Sequence, residues 1–287
     1  MTNPVIFLII YIDTIIKKIR VSRELFYVTF FTGGVALKKI IAITNQKGGV
    51  GKTTTALALI GALHQRGFRV LGVDLDPQGS LGFSAGLDIE NTTTIYDVFK
   101  GKVPVRDAVT ETEIGDLLPS NILLSTAELE FNMPGREYLL RNELEKVADD
   151  YDYIVIDTPP ALNVLTVNAY VAAEGLIIPM APEILSLLGI SQIRETIETV
   201  RRYYNPGLEV LGILLNRYSS RLILNREVED MSQAIAKKLG TKVFRTKIRT
   251  SVSVAESPAH GESIITYAPS SKPAQDFQAL LDEMMEA

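Results

Sequence analysis

The sequence predicts an α/β fold: a mostly parallel, twisted sheet with helices on both faces. Three observations carry that expectation. Short, uniformly apolar runs alternate with helical segments, the pattern of strands buried on both sides. A loop with three glycines in four positions lies between the first such run and a helix, within residues 39–54. Aspartates close two of the apolar runs, at the strand ends where open parallel sheets gather their ligands.

Residues 1–37 stand apart. Positions 5–16 form an apolar run of about twelve, broken by Asp13 and followed by Lys17, Lys18 and Arg20. That is too short for a membrane span, and it lacks the basic start and small-residue cleavage site of a signal peptide. A second apolar run precedes Thr32-Gly33-Gly34. Three readings present themselves: an extra strand and helix, an interfacial anchor, or an upstream stretch added by a misassigned start codon. The last is favoured, because the recognisable domain begins near Lys38. The expected division is an extension at 1–37 and a single domain at 38–287.

The elements then follow in order. Residues 40–44 read as a strand. The helix at 53–66 is apolar on most faces (Ala56, Leu57, Leu59, Ile60, Leu63), as a helix packed on a sheet should be, and Gly67 ends it. A buried strand at 69–73 runs into Asp74-Leu75-Asp76. Residues 94–100 read as a short helix, 116–119 as a short strand and 124–131 as a helical piece. Residues 136–149 are expected to form one charged amphipathic helix. A strand at 153–156 ends on Asp157. A helix at 162–173, a strand at 175–180, a long helix at 187–204 and a strand at 208–215 follow, the last running into Asn216-Arg217. An acidic amphipathic helix at 274–285 closes the chain.

Composition bounds the chemistry. The 287 residues carry a net charge of −5, so any nucleic-acid contact has to come from a local patch. The absence of cysteine excludes disulfides, thiolate metal sites and iron–sulfur ligation, and fits a reducing compartment. Of the two histidines, His64 falls within the helix after the glycine loop and reads as structural. Locally the charge reverses: residues 217–249 hold nine basic side chains against three acidic ones. Two readings stay open for so one-sided a run: a functional basic patch, or a solvated helix face, which a mixed pattern would have fitted better.

The glycine loop has a specific chemistry. Glycines let the backbone turn tightly and present successive N–H groups to an anion. The helix that starts there adds unpaired N–H groups and its positive dipole end. Gly48, Gly49, Val50, Gly51, Lys52, Thr53 and Thr54 thus form a phosphate cradle. Lys52 is the charge for the outer phosphates, and the Thr53 hydroxyl is placed to ligate magnesium. The ordinary spacing G-x-x-x-x-G-K-[ST] fails, because Gln46 stands where its first glycine belongs. The loop is the deviant Walker A form of a P-loop NTPase, with a second lysine, Lys47, at its start. A lysine five positions before Lys52 could instead reach a nucleotide held by a second copy of the chain. The carboxylates complete the set: Asp157 as a magnesium group and Asp76 to orient or activate an attacking water.

Together K-G-G-V-G-K-T-T at 47–54, D-L-D-P-Q-G at 74–79 and I-V-I-D-T-P-P at 154–160 closely resemble the ParA/Soj partition ATPases. The likeness extends from about Lys38 to the C-terminus and includes L-L-P-S at 117–120 and A-E-S-P at 255–258. It implies ATP and Mg2+ as cofactors, with Thr53, Asp76 and Asp157 on the metal side. It implies a homodimer on ATP binding, with Lys47 reaching the partner's ATP. It also implies non-specific DNA binding by the dimer, and a ParB-type centromere-binding protein that stimulates hydrolysis. The location implied is cytoplasmic and nucleoid-associated, with no membrane contact unless through residues 1–37. By the same resemblance Asn216, Arg249 and Ser251 are expected at nucleotide-contacting positions. Thr250 stands where the family carries a DNA-binding arginine, which leaves the DNA face to Lys237, Lys238, Arg245 and Lys247.

Three other functions compete. A MinD-like membrane-associated regulator of cell division needs a basic amphipathic C-terminal helix, whereas residues 274–287 hold no lysine or arginine. A reductase of the nitrogenase iron-protein type needs cysteine ligands. A nucleotide switch without hydrolysis would dispense with Asp76, which is present.

Overall fold

The computed structural model describes residues 39–181, 188–219 and 224–286, except for the side chains of 188–191 and 224–226. The readings of residues 1–37, the helix start at Leu187 and Arg221 lie outside the described residues.

The elements run β1 (Ile40–Ile43), α1 (Lys52–Gln65), β2 (Val70–Asp74), α2 (Ser80–Ser84), α3 (Ile95–Phe99) and α4 (Val105–Ala108). Next come β3 (Thr110–Thr112), β4 (Gly115–Leu118), α5 (Ala127–Glu130), α6 (Leu139–Leu144), β5 (Tyr153–Asp157), α7 (Val164–Ala172) and β6 (Gly175–Met180). The last are α8 (Leu188–Tyr203), β7 (Glu209–Leu215), α9 (Leu224–Leu239), α10 (Val252–Glu256), α11 (Ile264–Tyr267) and α12 (Lys272–Met285). Residues Lys38–Met284 form one compact unit.

Among the described residues the sheet has seven strands in the order β3-β4-β2-β5-β1-β6-β7. All pairings are parallel except β3 with β4. β2 and β6 are buried at every position, which is why they read as continuous apolar runs. α1 packs closely on the sheet because β2 carries Gly72: a Cβ there would lie 2.4 Å from Leu117 and 2.5 Å from Ile60. Gly67, at φ 84, releases the chain from α1.

One expected helix breaks up. In place of a single helix at 136–149 there are a 3₁₀ turn at Arg136–Tyr138, then α6, then a 3₁₀ turn at Ala148–Asp150. At the first break, near residues 136–140, the reason is a side chain from another helix. Asn168 of α7 donates Nδ2 to the Arg136 carbonyl at 2.8 Å and accepts the Leu140 N–H at 3.0 Å. That amide takes the backbone groups a continuous helix would have paired within itself. Further elements were not foreseen, among them the short antiparallel edge strand β3, the short helices α2, α4 and α10, and α9, which carries Lys237 and Lys238 of the basic stretch.

α12 is bound inward by its acids. Asp276 and Glu283 are buried. Asp276 pairs with Arg249 at 2.5 Å, and Asp282 pairs with Arg66 at 2.7 Å. Glu283 accepts the backbone N–H groups of Arg245 and Thr246 at 2.8 and 2.9 Å. Among the described residues no helix is long and apolar enough to cross a membrane.

Candidate active site

Strand order assembles the site. β2, β5 and β1 are consecutive in the sheet, so three segments distant in sequence leave it side by side. β1 feeds the glycine loop, β5 ends on Asp157, and β2 ends on Asp74, two residues before Asp76. The registers Ile43↔Asp157 and Asp74↔Asp157 bring the strand ends level.

The loop holds its shape through backbone that glycine alone adopts easily. Gly49 and Gly51 have φ of 74 and 89. A Cβ on Gly51 would lie 2.4 Å from Asn216 Nδ2. Gly51 caps α1, and no side chain takes the cap hydrogen bond. The first-turn N–H groups are therefore available to an anion at the positive end of the helix. Val50 is buried, while Gly48 and Gly49 are exposed.

Lys52 is buried, and its Nζ donates to the Lys47 carbonyl at 3.4 Å. Burial pushes its ammonium pKa down, while the charges of Asp157 and Asp76 hold it up. Thr53 Oγ1 donates to Asp157 Oδ2 at 2.6 Å. The other Asp157 oxygen, Oδ1, is buried with no hydrogen-bond partner among the described residues. Burial lifts this carboxyl to about 7, against the Thr53 hydrogen bond and the Lys52 charge. A hydroxyl beside a buried carboxylate with an oxygen to spare suits a hard divalent cation such as magnesium. Among the described residues no group of three or more acidic or histidine side chains encloses a metal.

The two remaining aspartates divide their work. Asp74 is fully buried and accepts the N–H groups of Asp76 and Leu81, each at 2.9 Å. Burial, then the charge of Asp157, raises its pKa well above the usual range. It shapes the turn after β2. Asp76 is half-buried, accepts the Gln78 N–H at 3.0 Å and faces the cavity beside the loop. That cavity measures about 360 Å³. Gly48, Gly49, Gly51, Lys52, Thr53 and Thr54 line one side, and Ser257, Pro258 and Ile264 close it from the C-terminal part of the chain.

The other candidates fall elsewhere. Lys47 is half-buried at the loop entrance. Asn216 is buried and braces the loop, donating to the Val50 carbonyl and to Thr55 Oγ1, both at 3.3 Å. Arg249 is engaged by Asp276, and the Ser251 hydroxyl hydrogen-bonds Ser253 at 2.8 Å. Asn216, Arg249 and Ser251 do not line the cavity. Lys237 and Lys238 are exposed in the last turn of α9. Arg245 is exposed and lies 3.7 Å from Glu283. Lys247 pairs with Glu229 at 2.5 Å and sits over the Tyr218 ring. Two features were missed from sequence. The wall at 257–264 was foreshadowed only by the A-E-S-P resemblance. Asn45, one residue past the first apolar run, signals a side-chain-to-backbone turn into the loop.

Loop, helix, lysine, threonine and buried aspartate define a P-loop NTPase site of the deviant Walker A type. A family model described as an AAA domain matches residues 38–210. The chromosome partitioning protein ParA of Caulobacter vibrioides is 43% identical over 237 residues, 80% of this chain and 87% of that protein. The sporulation initiation inhibitor protein Soj of Bacillus subtilis is 40% identical over 253 residues, 86% of this chain and 98% of that protein. The cobyrinic acid a,c-diamide synthase of Mycobacterium smegmatis, solved with a bound ATP analog and magnesium, superposes with a TM-score of 0.76 at 37% identity. That match covers 86% of this chain and 93% of the other. The chain belongs to the ParA/Soj family of partition ATPases.

Proposed function

We propose that this protein is a magnesium-dependent ATPase that dimerises on ATP and then binds DNA without sequence preference. Hydrolysis, stimulated by a ParB-type partner, releases the dimer, and the cycle moves plasmid or chromosome cargo over the nucleoid. The observation that carries the reading is the junction of Lys52, Thr53 and Asp157, with one buried carboxylate oxygen left for a cation. Magnesium would be held there by Thr53 and Asp157, and when bound it neutralises charge on the phosphate oxygens.

The chain's own groups do the rest. First-turn N–H groups and Lys52 grip the phosphates. Asp76, facing the cavity, orients the attacking water. Lys47 crosses to the partner's nucleotide and stabilises charge there, as arginine fingers do in other phosphoryl-transfer enzymes. The loop, Lys52 and Asp76 put polar groups along the cavity to position the reactants, which is most of what this reaction asks of a protein.

The test is DNA retardation with and without Mg-ATP at low and raised salt. Retention is expected only with ATP and should fall steeply as salt rises. Absence of ATP-dependent retention at low salt overturns the DNA half of the proposal and leaves the ATPase half standing.

A further inference from the structure

The loop's first lysine is held by a residue with no role assigned so far. Asn45 is 1% exposed, between the end of β1 and the loop. Its Nδ2 donates to the Pro179 carbonyl of β6 at 2.8 Å, and its Oδ1 accepts the Lys47 N–H at 3.0 Å. One buried amide thus ties the peptide of Lys47 to a neighbouring strand. The Lys47 carbonyl is also held, by Lys52 Nζ at 3.4 Å. That bond is long, and it is made by the ammonium that a nucleotide's outer phosphates attract. The Asn45 contacts involve no phosphate-binding group.

We propose that Asn45 is a positioning residue for turnover. It keeps the Lys47 peptide fixed to the sheet when Lys52 turns to phosphate, so that Lys47 reaches the partner's nucleotide from a rigid base. The proposal rests on the reading of Lys47 given above. An ångström of drift in a charge aimed at a reacting phosphate costs about a hundredfold in rate. A buried amide with both ends satisfied is a stiff support.

The experiment uses the full chain with Asn45→Ala, Asn45→Ser, Lys47→Ala and the double variant Asn45→Ala/Lys47→Ala. Four quantities are measured: Mg-ATP turnover, ATP-dependent self-association by light scattering, ADP affinity by calorimetry, and melting temperature. Asn45→Ala is expected to lower kcat and weaken self-association about ten- to a hundredfold. ADP affinity, a property of one protomer's own cradle, should stay within about threefold. Asn45→Ser should fall between, because its hydroxyl can accept the Lys47 N–H but cannot reach Pro179. It also serves if the alanine variant does not fold. On the Lys47→Ala background, Asn45→Ala should cost nothing further, since its effect runs through that lysine.

Three results overturn the proposal alone: wild-type turnover in both Asn45 variants, losses that multiply in the double variant, or ADP affinity falling in step with kcat. If Lys47→Ala leaves turnover and self-association unchanged, the reading of Lys47 fails first and the role of Asn45 fails with it.

Discussion

Asp157 answers to two demands that pull against each other. To hold a cation it must be charged, and to sit fully buried at the end of β5 it resists charge, which is why its carboxyl is pushed up to about 7. Below its ordinary value near 4 the group is protonated whether the chain is folded or not. Between there and about 7 the folded chain holds a proton the unfolded chain has lost, so stability falls as pH rises. The stabilised carboxylates, such as Glu130 held at about 2 by Lys100, Thr126 and Tyr96, act with the opposite sign and at lower pH. The melting temperature of the nucleotide-free protein should therefore drop from about pH 5.5 to about pH 7.5. Asp157→Asn should flatten that slope and raise stability at the upper end. Some slope should remain, because Asp74 is raised as well. A thermal series with both proteins checks this, and an Asp157→Asn curve parallel to wild type would exclude the buried charge as its source.

At the scale of elements, α12 does work that its composition conceals. Its acids look like a solvated face, yet Glu283 is buried and closes two backbone N–H groups of the segment at 245–246. Glu283→Ala leaves both donors without that acceptor and should destabilise the fold by about 1–3 kcal/mol, measured by urea unfolding. Glu283→Gln, which keeps one acceptor oxygen, should recover part of the loss. The contrast shows what a sequence discloses. The glycine loop, Asp76 and Asp157 were legible because each motif is short and its chemistry is local, and strand order then only had to bring the motifs together. The parallel sheet was legible because β2, β5 and β6 are apolar almost throughout. What stayed hidden depends on partners far along the chain. Asn168 divides the helix expected at 136–149 by binding backbone 32 residues away at Arg136. Asn45 meets Pro179 across 134 residues. Asn216 shows on its own only that it ends a strand, and its place behind Gly51 exists only once β7 has packed.

For the whole molecule the question is how a chain of net charge −5 would hold DNA, as proposed above. The nine basic residues between 217 and 249 are unequal once folded. Lys247 has Glu229 within 2.5 Å and Arg249 has Asp276 within 2.5 Å, so much of their charge is spent inside the protein. Lys237 and Lys238 are exposed, and among the described residues neither belongs to an ion pair. Their position in the last turn of α9 also complements that helix's dipole, which by itself would account for two lysines there. The two explanations separate by salt dependence. If the pair grips phosphates, Lys237→Ala/Lys238→Ala should weaken ATP-dependent DNA binding at every sequence and reduce the log–log salt slope by about one for each phosphate no longer neutralised. Turnover without DNA should not change, since neither lysine lines the cavity. Lys247→Ala should move the slope less, because its charge is already matched by Glu229. A slope unchanged in the double variant, with stability reduced, would return both lysines to the helix end they cap and move the DNA face to another part of the surface.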